Sequence, residues 1–230
     1  MHSVITGLYV GQPQPLEGTG RNTSFFKRPV EGSVHVGAIN LAGDAQADLR
    51  VHGGSEKAVY HFPCENYARL TAFEPQLAAQ FGPGSMAENV STAGWTEADV
   101  CIGDVFAFGS ARIQVCQPRT PCWKIDTRFG VEDLALRIEA AGVSGWYYRV
   151  LEEGEVACGE AWRLLDRNAA AFTLQRFWEL RHATRPDLDE LRRLAETPGL
   201  ATRWRARLQD RLAWLVKNHD SLLRQRPAAA

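Results

Sequence analysis

Hydrophobic residues in the first 166 positions alternate with polar ones, or cluster in short runs, in a way that predicts β-strands. These runs occupy residues 4–10, 34–41, 57–62, 89–91, 104–108, 111–117, 146–151 and 160–165. Gly109-Ser110 joins two of them and predicts a tight hairpin, because glycine readily takes the positive φ that such turns need. Helical spacing interrupts the strands at residues 65–80 and 131–141. Many short strands with few helices predict a β-barrel, since closing a sheet removes its exposed edges.

The hydrophobic pattern changes after Arg167, where Leu, Trp and Phe recur at spacings of three and four. Three helices are predicted there, at residues 173–182, 188–196 and 202–222. Each begins with a residue type favoured as an N-cap, namely Thr173, Asp187 and Thr202. We therefore predict a mainly β fold with α-helices: a barrel domain over residues 1–166 and a small three-helix domain over residues 167–230.

Composition and charge narrow the class of protein. The chain has 230 residues, 45% of them hydrophobic, and a net charge of −1, which gives no general attraction to nucleic acid or anionic membranes. Residues 1–166 carry 13 Lys/Arg and 20 Asp/Glu, whereas residues 167–230 carry 13 and 7, and this change of sign supports two modules. No apolar run reaches the roughly 20 residues of a membrane span, and the N-terminus lacks signal-peptide features, so we expect a cytoplasmic protein. Five scattered cysteines argue against a disulfide framework.

A polar, glycine-rich stretch at residues 43–57 is the first candidate site. It contains Arg50, His52 and Lys57 together with three glycines. Backbone N–H groups and cations gathered in one loop can surround an anion such as phosphate. A long solvated loop is the alternative that this stretch leaves open.

A second candidate site surrounds Cys122, where two prolines stiffen the loop that follows a predicted strand. Arg119 and Lys124 flank Cys122, and positive charge favours the thiolate, which is both a nucleophile and a soft metal ligand. A buried structural cysteine and a Cys116–Cys122 disulfide are the alternatives. The sequence has no C-x₂-C pair of a zinc site, no G-x-S-x-G elbow of a hydrolase and no glycine-rich nucleotide motif.

Several motifs occur together in the order and spacing of one known family. They are residues 23–30, residues 43–48, Val51-His52-Gly53-Gly54 with Lys57-Ala58-Val59-Tyr60, Glu88-Asn89-Val90-Ser91, Gly103-Asp104 and Gln117-Pro118-Arg119-Thr120-Pro121-Cys122. In combination they resemble the MOSC domain family, in its YiiM-like branch, over nearly all of residues 1–166. Residues 167–230 resemble the small helical domain of that branch. Ala87 departs from the pattern, because the family usually has Gly before the Glu-Asn pair.

The resemblance implies a molybdenum cofactor, a molybdopterin whose metal is bound by Cys122 at the catalytic centre. Candidates for holding its pterin and phosphate are Arg50, His52, Lys57, Arg119, Thr120, Asn89 and Lys27. The activity implied is the reduction of N-hydroxylated small molecules, from N–OH to N–H plus water. A separate reductase would supply the electrons, because the sequence has neither an iron–sulfur cysteine cluster nor a dinucleotide fingerprint.

Two other functions remain open at this point. In one, Cys122 carries a persulfide and the protein transfers sulfur. In the other, the basic helical tail is a binding module through its arginines, which are Arg203, Arg205, Arg207 and Arg211. Such a run is more often a solvated face that pairs with Asp and Glu. We expect this tail to dock the electron donor rather than nucleic acid, and exposed Trp and Leu on the last helix would suit a homodimer.

Overall fold

The structure, a computed structural model, describes residues 3–224, and only the backbone of residues 219–224. Its strands are β1 Ser3–Val10, β2 Gln14–Leu16, β3 Arg21–Thr23, β4 Arg28–Pro29, β5 Ser33–Val36, β6 Val59–His61, β7 Val90–Thr92, β8 Val105–Phe108, β9 Ala111–Pro118, β10 Trp146–Glu152, β11 Gly154–Ala157 and β12 Ala161–Asp166. Its α-helices are α1 Leu49–His52, α2 Cys64–Phe73, α3 Lys124–Phe129, α4 Leu134–Ala140, α5 Leu174–His182, α6 Leu188–Glu196 and α7 Thr202–Arg224.

Seven strands close into a barrel in the order β12-β8-β9-β10-β6-β7-β1, because β1 also pairs with β12. β6 and β7 run parallel, and the other neighbours in the barrel are antiparallel. β4 extends the sheet beyond β1, while β2–β3 and β5–β11 form two small separate sheets. The predicted mainly β barrel, followed by helices, is confirmed.

Aromatic side chains fill the barrel around a buried histidine. Trp146, Tyr148 and Trp162 are almost inaccessible to solvent, and all three rings pack against the ring of His61. Nδ1 of His61 hydrogen-bonds with the Tyr148 hydroxyl at 3.0 Å, and Nε2 hydrogen-bonds with Oγ1 of Thr92 at 2.9 Å. Burial lowers the pKa of His61 to about 3, so the ring is neutral at pH 7. Both polar atoms are satisfied, which is what allows a histidine inside this core.

Element boundaries differ from the predictions where local turns intervene. The hairpin at Gly109-Ser110 is confirmed, with φ of 62° at Gly109. The helix predicted over residues 65–80 ends at Phe73, because Pro75 disfavours helical backbone in the residue before it. The strand predicted over residues 34–41 ends at Val36, where a turn follows.

The three predicted C-terminal helices are present as α5, α6 and α7. Thr173 and Asp187 cap α5 and α6, each accepting a hydrogen bond from the N–H three residues later, at 3.0 and 2.8 Å. The prediction for Thr202 was wrong, because Thr202 is itself the first helical residue of α7. Its N–H and hydroxyl instead donate to the carboxylate of Glu56, at 2.9 and 3.1 Å. A side chain from the connection between β5 and β6 therefore occupies the start of this helix.

A single hydrophobic cluster joins the barrel to the helices. It includes Trp146 and Trp162 of the barrel as well as Phe177 and Trp204 of α5 and α7. The helices are therefore packed on the barrel through shared core residues, and the domain boundary near residue 166 stays a prediction. Among the helices that the structure describes, none combines the length and apolarity needed to cross a membrane.

Candidate functional site

An open cleft of about 580 Å³ lies outside the barrel, where several connecting loops meet. The connection from β3 to β4 forms one wall, and the long connection from β5 to β6 forms another. The segment before β7 and the loop from β9 to α3 complete it, with β6 and β10 as its floor. The cleft therefore gathers the two stretches that the sequence singled out, although they lie more than 60 positions apart.

Six of the eight predicted site residues line this cleft: Lys27, His52, Lys57, Asn89, Arg119 and Cys122. The other two do not. Arg50 has a side chain that is 85% exposed and forms an ion pair with Asp48 at 3.2 Å. Thr120 is also exposed to solvent. The structure thus brings together most of the predicted set, while its role in binding a cofactor stays a prediction.

Cys122 is the cysteine that lines the cleft. It lies in the loop between β9 and α3, is partly exposed, and is a free cysteine. Cys116 is also free, but it is buried, and its thiol donates to the carbonyl oxygen of Glu56 at 3.0 Å. Burial raises the pKa of Cys116 to about 12. Cys116 is therefore a protonated core thiol, and the alternative of a Cys116–Cys122 disulfide is not what the structure shows.

Arg119 is the most deeply buried cation that the sequence predicted for the site, with 5% of its surface exposed. Its guanidinium lies over the ring of Tyr60, 4.8 Å from the centroid, and the backbone N–H of Arg119 donates to the carbonyl of Gly145 at 2.9 Å. Nη1 of Arg119 and Oγ of Ser24, which lines the same cleft, are buried without a hydrogen-bond partner. Leaving such groups unpaired costs about 1–3 kcal/mol each. Both are therefore suited to a bound group that accepts hydrogen bonds.

His52 is neutral at pH 7 in this setting. Burial, followed by the positive charges of Arg119, Lys57 and Lys124, lowers its pKa to about 4. A ring placed among cations in this way can take up a proton once an anion offsets those charges.

Asp44 organises one wall of the cleft, and the sequence analysis missed it. Its Oδ2 accepts hydrogen bonds from Nζ of Lys27 at 2.8 Å and Nδ2 of Asn89 at 2.9 Å. Its Oδ1 accepts from the N–H of Gly11 at 2.8 Å. Asp44 lies in the motif of residues 43–48, but nothing in the sequence indicates that its carboxylate is buried. Lys27 and Asn89 are thus already engaged in the wall that they line.

Tyr60 and Tyr147 form the aromatic floor and were also missed. Their rings lie 5.2 Å apart on the paired strands β6 and β10. Lys57 lies over the ring of Tyr147, 6.0 Å from its centroid. Tyr60 ends the motif stretch Lys57-Ala58-Val59-Tyr60, which gave it no role in the site, whereas Tyr147 belongs to none of the motifs.

The side chains that line the cleft suit a cofactor that has an anionic group and a metal that takes one ligand from the protein. Lys57, Arg119 and Lys124 line the cleft as cations, while its carboxylate, Asp44, is paired with Lys27. Among the side chains of residues 3–218, no three His, Cys, Asp or Glu are grouped so that they could enclose a metal ion. A metal bound by Cys122 would therefore take its other ligands from the cofactor itself.

Known protein families and solved structures share this architecture. The MOSC domain model matches residues 48–163, and the model of the YiiM-like 3-alpha helix domain matches residues 173–213. The uncharacterized protein YflK of Bacillus subtilis is 39% identical over 206 residues, which cover 88% of this chain and 91% of that protein. The crystal structure of YiiM from Escherichia coli superposes with a TM-score of 0.78 at 30% identity over 93% of each chain.

A protein named reductase from Gibberella moniliformis is 32% identical over 146 residues, which cover 63% of this chain and 26% of that longer protein. Together, the matched domains and the identity along most of the chain show that this protein belongs to the MOSC domain family and carries the YiiM-like three-helix domain.

Proposed function

We propose that this protein is a molybdenum-cofactor-dependent oxidoreductase that reduces N-hydroxylated compounds. The observation that carries the proposal is the pairing of a free thiol, Cys122, with the unpaired buried donors of Arg119 and Ser24 in one cationic cleft. The relative named reductase supports a redox function over sulfur transfer.

Each side chain has a distinct part in this proposal. Cys122 would be the protein ligand of the metal, while Arg119 and Lys124 would bind the phosphate and Ser24 the pterin. Asp44 would shape the wall. When bound, the cofactor supplies two-electron redox chemistry. His52 lines the same cleft and is neutral, so it is placed to accept and pass on a proton.

The reaction consumes two electrons and two protons. The N–O bond of an R–NH–OH substrate breaks, the nitrogen keeps its hydrogen and gains one proton to give R–NH₂, and the hydroxyl takes the other proton and leaves as water. The electrons would come from a separate reductase protein, because the sequence offers no motif for a second redox centre.

Metal and pterin content tests the proposal directly. Wild type and Cys122→Ala would be purified from cells that make the cofactor, beside Cys158→Ala, which removes an exposed cysteine elsewhere. We expect near-stoichiometric molybdenum and pterin in wild type and Cys158→Ala. Cys122→Ala should lose reduction of N-hydroxylated substrate and show altered metal ligation. Wild type without molybdenum or pterin after reconstitution would overturn the proposal and favour a persulfide on Cys122.

The structure leaves fewer arginines for the alternative function, in which the basic tail is a binding module. Arg211 donates to the carbonyls of Leu180 and Arg181 at 2.7 and 3.0 Å, and Arg205 donates to that of Thr197 at 3.2 Å. These two arginines therefore bind the ends of neighbouring helices instead of pairing with Asp and Glu as predicted. The remaining two, Arg203 and Arg207, are exposed to solvent.

A further inference from the structure

A second open cavity, of about 810 Å³, lies where α5 meets the barrel. We call it the junction cavity; it is lined by Arg69, residues 96–98, residues 140–142 and four residues of α5. Arg69 belongs to α2, and residues 140–142 are at the end of α4. The residues that line the junction cavity are all different from those that line the functional cleft, so the two are separate sites.

Glu97 turns an unpartnered oxygen towards the junction cavity. The residue is 2% exposed, and its Oε1 accepts from the N–H of Gly145 at 2.9 Å and from Nδ2 of Asn66 at 2.7 Å. Its Oε2 is buried and accepts no hydrogen bond, although it lies 3.5 Å from Nη1 of Arg69. Arg69 lines the cavity and is half-exposed, so Oε2 is the carboxylate oxygen nearer to the cavity.

Trp178 supplies an unpartnered donor to the same space. It is almost completely buried, and its Nε1 has no hydrogen-bond partner. A Cβ built at Gly142 would lie 3.5 Å from Cδ1 of Trp178, so the ring edge that carries Nε1 faces backbone that lines the cavity. His182 stacks on the ring, with centroids 5.2 Å apart, and lies 3.6 Å from Glu139. Leaving a buried donor unpaired is unfavourable, so Nε1 is suited to a ligand that accepts a hydrogen bond.

The charged side chains that line the junction cavity already have partners of opposite charge. Arg69 forms an ion pair with Glu97, and Glu179 lies 2.8 Å from Arg176. A net charge on a ligand would therefore lack a counter-charge, which disfavours an ion in a partly buried site. What the cavity lacks is one hydrogen-bond donor for Glu97 and one acceptor for Trp178.

We propose that the junction cavity binds a neutral small molecule with an amide group, whose carbonyl accepts from Nε1 of Trp178 and whose N–H donates to Oε2 of Glu97. An amide supplies an acceptor and a donor without net charge, which is the combination that the cavity lacks. Clefts of about 300–1,000 Å³ are typical of small-molecule sites, and the junction cavity falls within that range. The inference goes beyond the proposed reductase function and does not depend on a cofactor.

Indole resonances test the site in the full-length protein. When the seven tryptophans carry ¹⁵N in their indoles, the Trp178 signal is the one that is missing from Trp178→Phe. We expect benzamide to shift this signal in a saturable way, with a Kd in the millimolar range for so small a ligand. N,N-dimethylbenzamide lacks the N–H, and benzoate carries a charge, so both should bind about tenfold more weakly or worse.

Variants assign the two contacts. Trp178→Phe keeps an aromatic ring in the core but removes the donor, and Glu97→Gln leaves only one acceptor oxygen, so each should weaken benzamide binding by about tenfold. Ligand signals in the NMR spectrum measure that binding. Trp95→Phe is the matched control and should bind like wild type, because Trp95 also has a buried, unpartnered Nε1 but does not line the cavity.

Three results would each overturn the proposal. They are the lack of a saturable Trp178 shift in wild type, binding of benzoate as tight as that of benzamide, and unchanged benzamide affinity in Trp178→Phe. The comparison of the three ligands in wild type decides the matter even if a variant fails to fold. Because the measurement needs neither cofactor nor turnover, its outcome is independent of the outcome for the reductase proposal.

Discussion

The ammonium group of Lys27 lies 2.8 Å from Oδ2 of Asp44 in the wall of the cleft, and both side chains are almost completely buried. Burial lowers the pKa of Lys27, while the neighbouring carboxylate of Asp44 raises it. The same Oδ2 also accepts from Asn89. This charge pair therefore stabilises the wall, and the cations of the cleft lining that remain for a ligand are Lys57, Arg119 and Lys124.

Removing the carboxylate should destabilise the protein strongly. We expect Asp44→Ala to lower the free energy of unfolding by about 3–5 kcal/mol, because Lys27 would be left as an uncompensated buried charge. Glu152→Ala, which breaks an exposed pair with Arg112, should cost about 0–1 kcal/mol. Urea denaturation measures both, and similar losses in the two variants would contradict the role assigned to Asp44.

Ala87 should be replaceable by glycine with a gain in stability. Its φ is 66°, a left-handed conformation that costs roughly 1–2 kcal/mol for an L-residue and nothing for glycine. Glycine loses more chain entropy on folding, so we expect Ala87→Gly to stabilise the protein by about 0.5–1 kcal/mol. Ala206→Gly, in the exposed interior of α7, should have the opposite sign and cost about 1 kcal/mol. Thermal unfolding of both variants checks the pair, and a loss of stability in Ala87→Gly would refute the strain at this position.

Acid should destabilise the barrel through His61. Its pKa is about 3 in the folded protein, against about 6.5 when unfolded, so the unfolded state binds the proton more readily between these values. This contribution to stability is complete above pH 6.5 and is lost as the pH falls towards 3. The loss should reach about 2 kcal/mol by pH 5.

The slope of stability against pH isolates this effect from the cost of the substitution. His61→Gln should flatten the slope between pH 7 and 5, whatever its stability at pH 7. Denaturant titrations at several pH values give the slopes, and a wild-type slope in His61→Gln would exclude His61 as the source.

Thiol reactivity should distinguish the cysteines. We expect an alkylating reagent at pH 7.5 to modify Cys122 and Cys158 well before Cys116, because burial raises the pKa of Cys116 to about 12. Peptide mass spectrometry over a time course measures each site. Early modification of Cys116 in folded protein would contradict its placement in the core.

The sequence determined much of this protein through local physical chemistry. Strand alternation, the glycine turn at Gly109 and the helical spacing after Arg167 were sufficient to predict a barrel followed by three helices. N-caps at Thr173 and Asp187 were also predictable, since they depend on contacts three residues away. The ordered motifs around His52 and Cys122 indicated the stretches that meet in the cleft.

Tertiary structure decided which of those residues share an environment. Arg50 and His52 are only two residues apart in the sequence, yet Arg50 is in solvent and His52 lines the cleft. The reason is that residues two positions apart on a helix such as α1 do not share a face. Asp44 became a buried partner of Lys27 only when two distant loops met. The hydrogen bond from Thr202 to Glu56 likewise joins the start of α7 to a segment that is far away in the sequence. Periodicity and capping are local and can be read along the chain, whereas burial and pairing depend on long-range packing.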